Sequence, residues 1–391
     1  MRYSNINMQE TGLSCDQDLS RTISALRFPL CILIVFVHFD LSMGLGIKGI
    51  KYGIDNPGWY FYIIRFVSES LGSICVPLFF FISGFLFFYR KEFCCEIYKS
   101  SVIKRIKTLL IPYIVWNFIA LLWKMKRFLP VISTFYQPAE IHFSLTRIFN
   151  TFFCNTEING IIVNQTILGI SPSAYPINGP LWYVRELMLM VIVSPVIFKL
   201  IDKKGIWFVF VLSIVWFFSS VLFSNGSYIS LLIIALFFFS WGAYYSINRI
   251  NFVRLFNRKW MLSFFYIFFV AVDLQTKGVN YNFVFTNMRI LSGVCAFIIV
   301  VSYCLRTDMV KVNLVLSSSS FFIFALHQMI LGDIARFFFV IFHIPGDNPY
   351  IMLLFYFAMP IFVIMICFAL YRYLKSFLPG ICNILTGGRG T

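Results

Sequence analysis

Carboxylates are scarce in this chain: 16 Asp and Glu stand against 32 Lys and Arg in 391 residues, and all charged residues together make up only 12%. A water-soluble domain carries about a quarter charged residues, so there is too little charge here to coat a globule in water. Histidine is rarer still, with 4 in all. The 10 cysteines contain no C-x-x-C pair, and the adjacent Cys94 and Cys95 are poorly placed to ligate one tetrahedral ion together, so no metal is implied. The cysteines read instead as small apolar filler in helices. No internal repeat and no low-complexity tract is present. The first twenty or so residues lack an apolar core followed by a small-residue cleavage site, so no cleavable signal peptide is expected. The first helix then serves as its own targeting signal.

What fills the chain is hydrophobic residues, at 60% of the total. Apolar stretches recur from Ala25 to Leu374 with short polar interruptions. Each is near the ~20 residues that a bilayer requires, at about 23–43, 68–88, 108–127, 181–201, 206–224, 228–248, 259–276, 284–305, 317–341 and 350–374. The expected fold is an all-α polytopic membrane protein, a bundle of about ten transmembrane helices. Residues 1–22 form an N-terminal tail, 23–374 the membrane domain with a long outer loop at about 124–180, and 375–391 a C-terminal tail. Lys and Arg favour one set of loops over the other by roughly two to one, which by the positive-inside rule puts both termini in the cytoplasm. That distribution accounts for the net charge of +16 without a nucleic-acid partner. The membrane itself is the first partner.

Charged side chains at bilayer depth are costly unless they face a protein interior or a wet cavity, so each is a functional candidate. Arg27 and His38 share the first span. At ~100° per residue they differ by only ~20° in azimuth while rising ~16 Å apart, so they lie on one face at two depths. Their bland alternatives are a snorkelling arginine and a neutral histidine bonded within the bundle. Span four opens Gly179-Pro180-Leu181-Trp182-Tyr183-Val184-Arg185-Glu186. Adjacent helical residues point ~100° apart, so Arg185 and Glu186 are each expected to need a partner on another helix. His327 falls about ten residues into span nine, level with His38, and is either a second base or a structural histidine. His142 and His343 read as loop histidines without a role. The basic stretch through Lys104, Arg105 and Lys107 either lies in the anionic headgroup layer or holds phosphates of a nucleotide-bearing donor.

Several pieces in order resemble the acyltransferase-3 family of membrane acyltransferases, which O-acylate surface polysaccharides and related glycans. They are Arg27 and His38 with ten residues between them, Val76-Pro77 through Ser83-Gly84-Phe85, Lys104-Arg105 running into Ile111-Pro112-Tyr113, Leu181-Trp182-Tyr183-Val184-Arg185-Glu186, and Ser320 through Leu326-His327. Where many members carry an aspartate three residues before the arginine, this chain has Ser24. The resemblance implies a plasma-membrane O-acyltransferase with no bound cofactor that uses acyl-CoA, acetyl-CoA by analogy, as donor and a glycan or polysaccharide as acceptor. It implies catalytic roles for His38 and Arg27, donor binding by Lys104 and Arg105, and supporting or second-base roles for His327, Arg185, Glu186, Trp182 and Ser83. His38 is either a general base for direct attack on the thioester or a carrier that takes the acyl group itself. Two other classes compete: an exporter of polysaccharide whose buried charges line a route, and a scaffold, which leaves the aligned Arg27 and His38 unexplained.

Overall fold

The computed structural model describes residues 2–39, 45–47, 50–52, 59–90, 93–126, 152, 175–223, 226–342 and 348–389. In lipid every backbone N–H and C=O must find a partner within the chain, and the described residues meet that demand as a helical bundle. Its helices are α1 (Arg2–Val37), α2 (Trp59–Phe88), α3 (Cys95–Met125), α4 (Gly179–Lys204), α5 (Ile206–Leu222), α6 (Tyr228–Ile247), α7 (Phe252–Asn257), α8 (Met261–Gln275), α9 (Asn282–Arg306), α10 (Leu314–Phe342), α11 (Pro349–Phe377) and α12 (Pro379–Thr386). A small antiparallel hairpin, β1 (Leu45–Ile47) with β2 (Ile50–Tyr52), follows α1.

Apolar helices occupy all ten expected spans. By length and composition, however, 7 of the described helices can cross a membrane alone, or up to 8 if the bent pair α4–α5 is one span. α4 and α5 pass as a pair, bent by 118° at Gly205, and α5 alone, at 17 residues, is short for a crossing. α8 is only 15 residues long, cut short by the polar turn that follows Asp273. Both tails contain helix. The N-terminal segment is helical from Arg2 and continuous with the first span, and the C-terminal segment folds into α12.

α2 runs through the core, with Leu78, Phe80 and Phe81 fully buried. It crosses α6 backbone to backbone. A β-carbon at Gly84 would overlap the Phe239 carbonyl, and one at Gly242 would overlap the Phe81 carbonyl. In lipid, where apolar side chains gain little by leaving the surroundings, such small-residue crossings hold helices together by close van der Waals contact. Because the obstacle is backbone, it cannot swing aside. Gly84→Ala is therefore expected to cost toward or beyond the upper end of the ~1–3 kcal/mol of ordinary overpacking. Gly332→Ala, with open space around the added carbon, should be neutral. The yield of monodisperse, protease-resistant protein distinguishes the two.

Two π-helical stretches interrupt the long helices, Phe66–Leu71 in α2 and Ile106–Leu110 in α3. Wide turns of this kind re-aim side chains and often mark functional sites. The first presents Ser68, whose hydroxyl donates to the Phe36 carbonyl at 3.1 Å and meets the Tyr356 hydroxyl at 2.5 Å. The second directly follows Arg105.

Candidate active site

α1 is packed deep in the bundle, with Leu26, Leu30 and Val35 fully buried, and its polar residues open onto two separate cavities. Arg27 lines a cavity of about 170 Å³ together with Ser83, Arg105, Tyr183, Ser320, Phe324 and Arg389. His38 lines another of about 840 Å³, with Ser68, Lys124, Asn178, Trp182, Phe324 and Gln328 among its walls. Phe324 borders both cavities. One helix thus carries a cation into one chamber and an imidazole into the other, about three turns further along.

The first span, expected over 23–43, ends its helix earlier, at Val37. The His38 amide still bonds the Ile34 carbonyl at 3.2 Å, while the Phe39 amide turns to the Phe36 carbonyl at 3.1 Å and closes the last turn more tightly. His38 therefore keeps the helical register that aligns it with Arg27, but it sits at the helix terminus, where its ring reaches the cavity.

His327 is fully buried, and its ring lies 5.2 Å from that of His38, centroid to centroid. Its Nδ1 is 3.1 Å from the Ile323 carbonyl. A carbonyl only accepts, so Nδ1 carries the hydrogen and Nε2 keeps a lone pair. That Nε2 is buried without a hydrogen-bond partner. The next residue, Gln328, brings its amide nitrogen to 3.5 Å from His38 Nδ1. It is the His38 neighbour that the sequence reading passed over, and its only signal was adjacency to His327.

The remaining candidates divide between the chambers. Trp182 forms part of the His38 cavity. Ser83 is in the Arg27 cavity, its hydroxyl 2.8 Å from that of Tyr183. Arg105 lines the same chamber, whereas Lys104, one position away and so ~100° around the helix, is exposed and lines neither.

Arg185 and Glu186 overturn the expectation that adjacent charges need separate partners. Arg185 Nε and Nη2 both donate to Glu186 Oε1, at 2.9 and 2.7 Å. The ~100° between successive Cβ directions is spanned because the arginine stem is long enough to fold back across the helix surface. The pair is 5% and 0% exposed, Arg185 lies over the Tyr228 ring at 5.0 Å, and neither residue lines either of the two chambers.

Asn178, just before α4, is another residue the sequence reading missed. Its amide N–H donates to Asn117 Oδ1 at 3.1 Å and its Nδ2 to the Ala325 carbonyl at 2.9 Å. It thereby ties the entry of α4 to α3 and α10 at the cavity wall. Much of the expected outer loop, along with His142 and His343, lies outside the described residues.

A family model described as an acyltransferase domain matches residues 21–372. The succinoglycan biosynthesis protein ExoH of Rhizobium meliloti (strain 1021) is 26% identical over 382 residues, covering 96% of this chain and 94% of that protein. No solved structure matches.

Proposed function

The chain belongs to the acyltransferase-3 family, and from that premise we propose that it transfers an acyl group, acetyl, from acyl-CoA to a hydroxyl of a cell-surface or lipid-linked glycan. The enzyme works in the plasma membrane with both termini cytoplasmic. The donor arm enters through the Arg27 cavity, and the acceptor sugar occupies the His38 cavity.

The observation that carries this reading is the division of α1 between two chambers that share Phe324 as a wall. A cavity of about 840 Å³ falls within the ~300–1,000 Å³ typical of small-molecule sites and suits one or two sugar units. The chamber of about 170 Å³ admits only part of an acyl-CoA, and the arginines that line it suit the phosphates of that donor. The name of the relative from Rhizobium meliloti, a succinoglycan biosynthesis protein, supports a polysaccharide acceptor.

In the step itself His38 accepts the proton of the sugar hydroxyl as that oxygen attacks the thioester carbonyl. The new C–O bond forms, the C–S bond breaks, and the departing thiolate takes the proton back from the imidazolium as free CoA. An imidazole suits this exchange because its ordinary pKa lies near neutrality. A thiolate leaves readily, so base catalysis and positioning suffice. His327, with Nδ1 committed to Ile323, sits behind the His38 ring and restricts its position.

The test is transfer of radiolabelled acetyl from acetyl-CoA into envelope glycan by membranes bearing the intact protein or an equal amount of His38→Ala. Label that appears with the intact protein and vanishes with the variant supports the enzyme. No labelling by either, with glycan export unimpaired in the variant, points to an exporter or a different donor.

A further inference from the structure

The Arg27 chamber has a third arginine that comes from the far end of the chain. Arg389 lies beyond residue 372, where the family match ends, yet it lines the cavity with Arg27 and Arg105. We propose that Arg389 is a ligand for the phosphates of the donor, so that the C-terminal turn is a working part of the donor site. This rests on the acyl-CoA reading above.

The turn is firmly docked. Trp116 Nε1 donates to the Leu385 carbonyl at 2.9 Å. Gly387 takes a left-handed conformation, with φ of 61°. A β-carbon there would overlap the Thr108 carbonyl, so the chain reverses hard against the π-helical stretch of α3 that follows Arg105. Arg389 Nη1 donates to the Thr386 carbonyl at 3.1 Å, and its guanidinium lies 4.3 Å over the Phe321 ring. One hydrogen bond uses one of its five N–H groups.

Among the described residues no carboxylate lines this cavity. Three guanidiniums gathered without an acid repel one another in a poorly solvated site. Burial lowers the Arg389 pKa to about 10, and Arg105 and Arg27 add to the fall. Such a cluster stores a demand for negative charge that one carboxylate cannot fill. Guanidiniums bind phosphate oxygens in a bidentate fork, and three of them from α1, α3 and the C-terminal turn match a ligand carrying several phosphates. The nucleotide end of acyl-CoA is such a ligand. An anionic lipid headgroup offers the same chemistry from a different source.

The experiment measures CoA binding to the purified full-length protein in phosphatidylcholine nanodiscs, by calorimetry. Arg389→Gln is expected to weaken CoA binding about 10-fold or more, with partial recovery in Arg389→Lys, as loss of a charge-assisted phosphate contact should. The acetyl-CoA KM should rise similarly, with kcat falling far less. Gly387→Ala, which dislodges the turn but keeps the arginine, should weaken CoA binding as well. An unchanged melting temperature in Arg389→Gln separates lost contact from lost fold. If Arg27→Gln weakens CoA binding and Arg389→Gln does not, the role of Arg389 is overturned while the donor reading stands. If the unaltered protein does not bind CoA, the donor reading falls, and this inference with it. If Arg389→Gln instead reduces only the retention of phosphatidylglycerol in mixed discs, the ligand is a headgroup and the proposal is wrong.

Discussion

His38→Ala is expected to lower the rate of acyl transfer by about 10²–10⁴-fold, the range that a positioned general base contributes, while leaving donor binding nearly unchanged. The asymmetry follows from where the residue sits: His38 opens on the larger chamber, and the arginines proposed to bind the donor open on the other. His327 provides the internal comparison. Its Nε2 is buried, its Nδ1 is held by a backbone carbonyl, and it lines neither of the two chambers, so His327→Phe should cost far less, about 10-fold, through loss of support for the His38 ring. Single-turnover transfer from labelled acetyl-CoA measures both variants. Equal losses in the two would mean that the imidazoles act as one proton-sharing unit, and a larger loss in His327→Phe would reverse the assignment. A base mechanism also predicts that no labelled protein accumulates when donor is supplied without acceptor. Hydroxylamine-sensitive label that depends on His38 would mean instead that the histidine carries the acyl group.

The parts of this arrangement that were legible in the sequence were those governed by a single helix. Arg27 and His38 could be aligned because helical periodicity alone relates two positions on α1, and the depth of His327 followed from counting into α10. What stayed hidden depends on contacts between distant segments. Gly84 stands in the sequence only as part of a Ser-Gly-Phe segment, but its purpose is set by Gly242 and Phe239 on another helix. Arg389 carried no signal, since a basic residue in a C-terminal tail is the ordinary consequence of charge asymmetry across a membrane. Arg185 and Glu186 were misjudged because backbone azimuth says little about where a long, flexible guanidinium ends. Asp273 and Lys277, at the end of the seventh expected span, belong to a network of charges that no single helix reveals.

That network yields the largest expected effect on stability. Arg289→Ala should destabilise the protein by about 3–5 kcal/mol, the cost of leaving a buried charge without its partner. Asp273 is 0% exposed and Arg289 1%, and the guanidinium Nε lies 3.1 Å from Asp273 Oδ2. Lys277 also approaches that carboxylate at 3.2 Å, but its side chain is 23% exposed and it is shared with Glu69, so it compensates only in part. Arg289 does more than neutralise. Its Nη1 donates to the Glu69 carbonyl at 2.7 Å and to Ser73 Oγ at 3.0 Å, pinning the π-helical stretch of α2 that presents Ser68 to the His38 cavity. Removing the arginine should therefore loosen a wall of the His38 cavity as well as strand a carboxylate. Thermal unfolding in detergent measures the first effect. The double variant Arg289→Ala with Asp273→Ala separates the two: deleting the stranded charge should restore much of the stability, whereas the lost anchorage of α2 should keep acyl transfer impaired. If the double variant melts no higher than Arg289→Ala alone, the cost lies in the bonds to Glu69 and Ser73 and not in the unpaired charge.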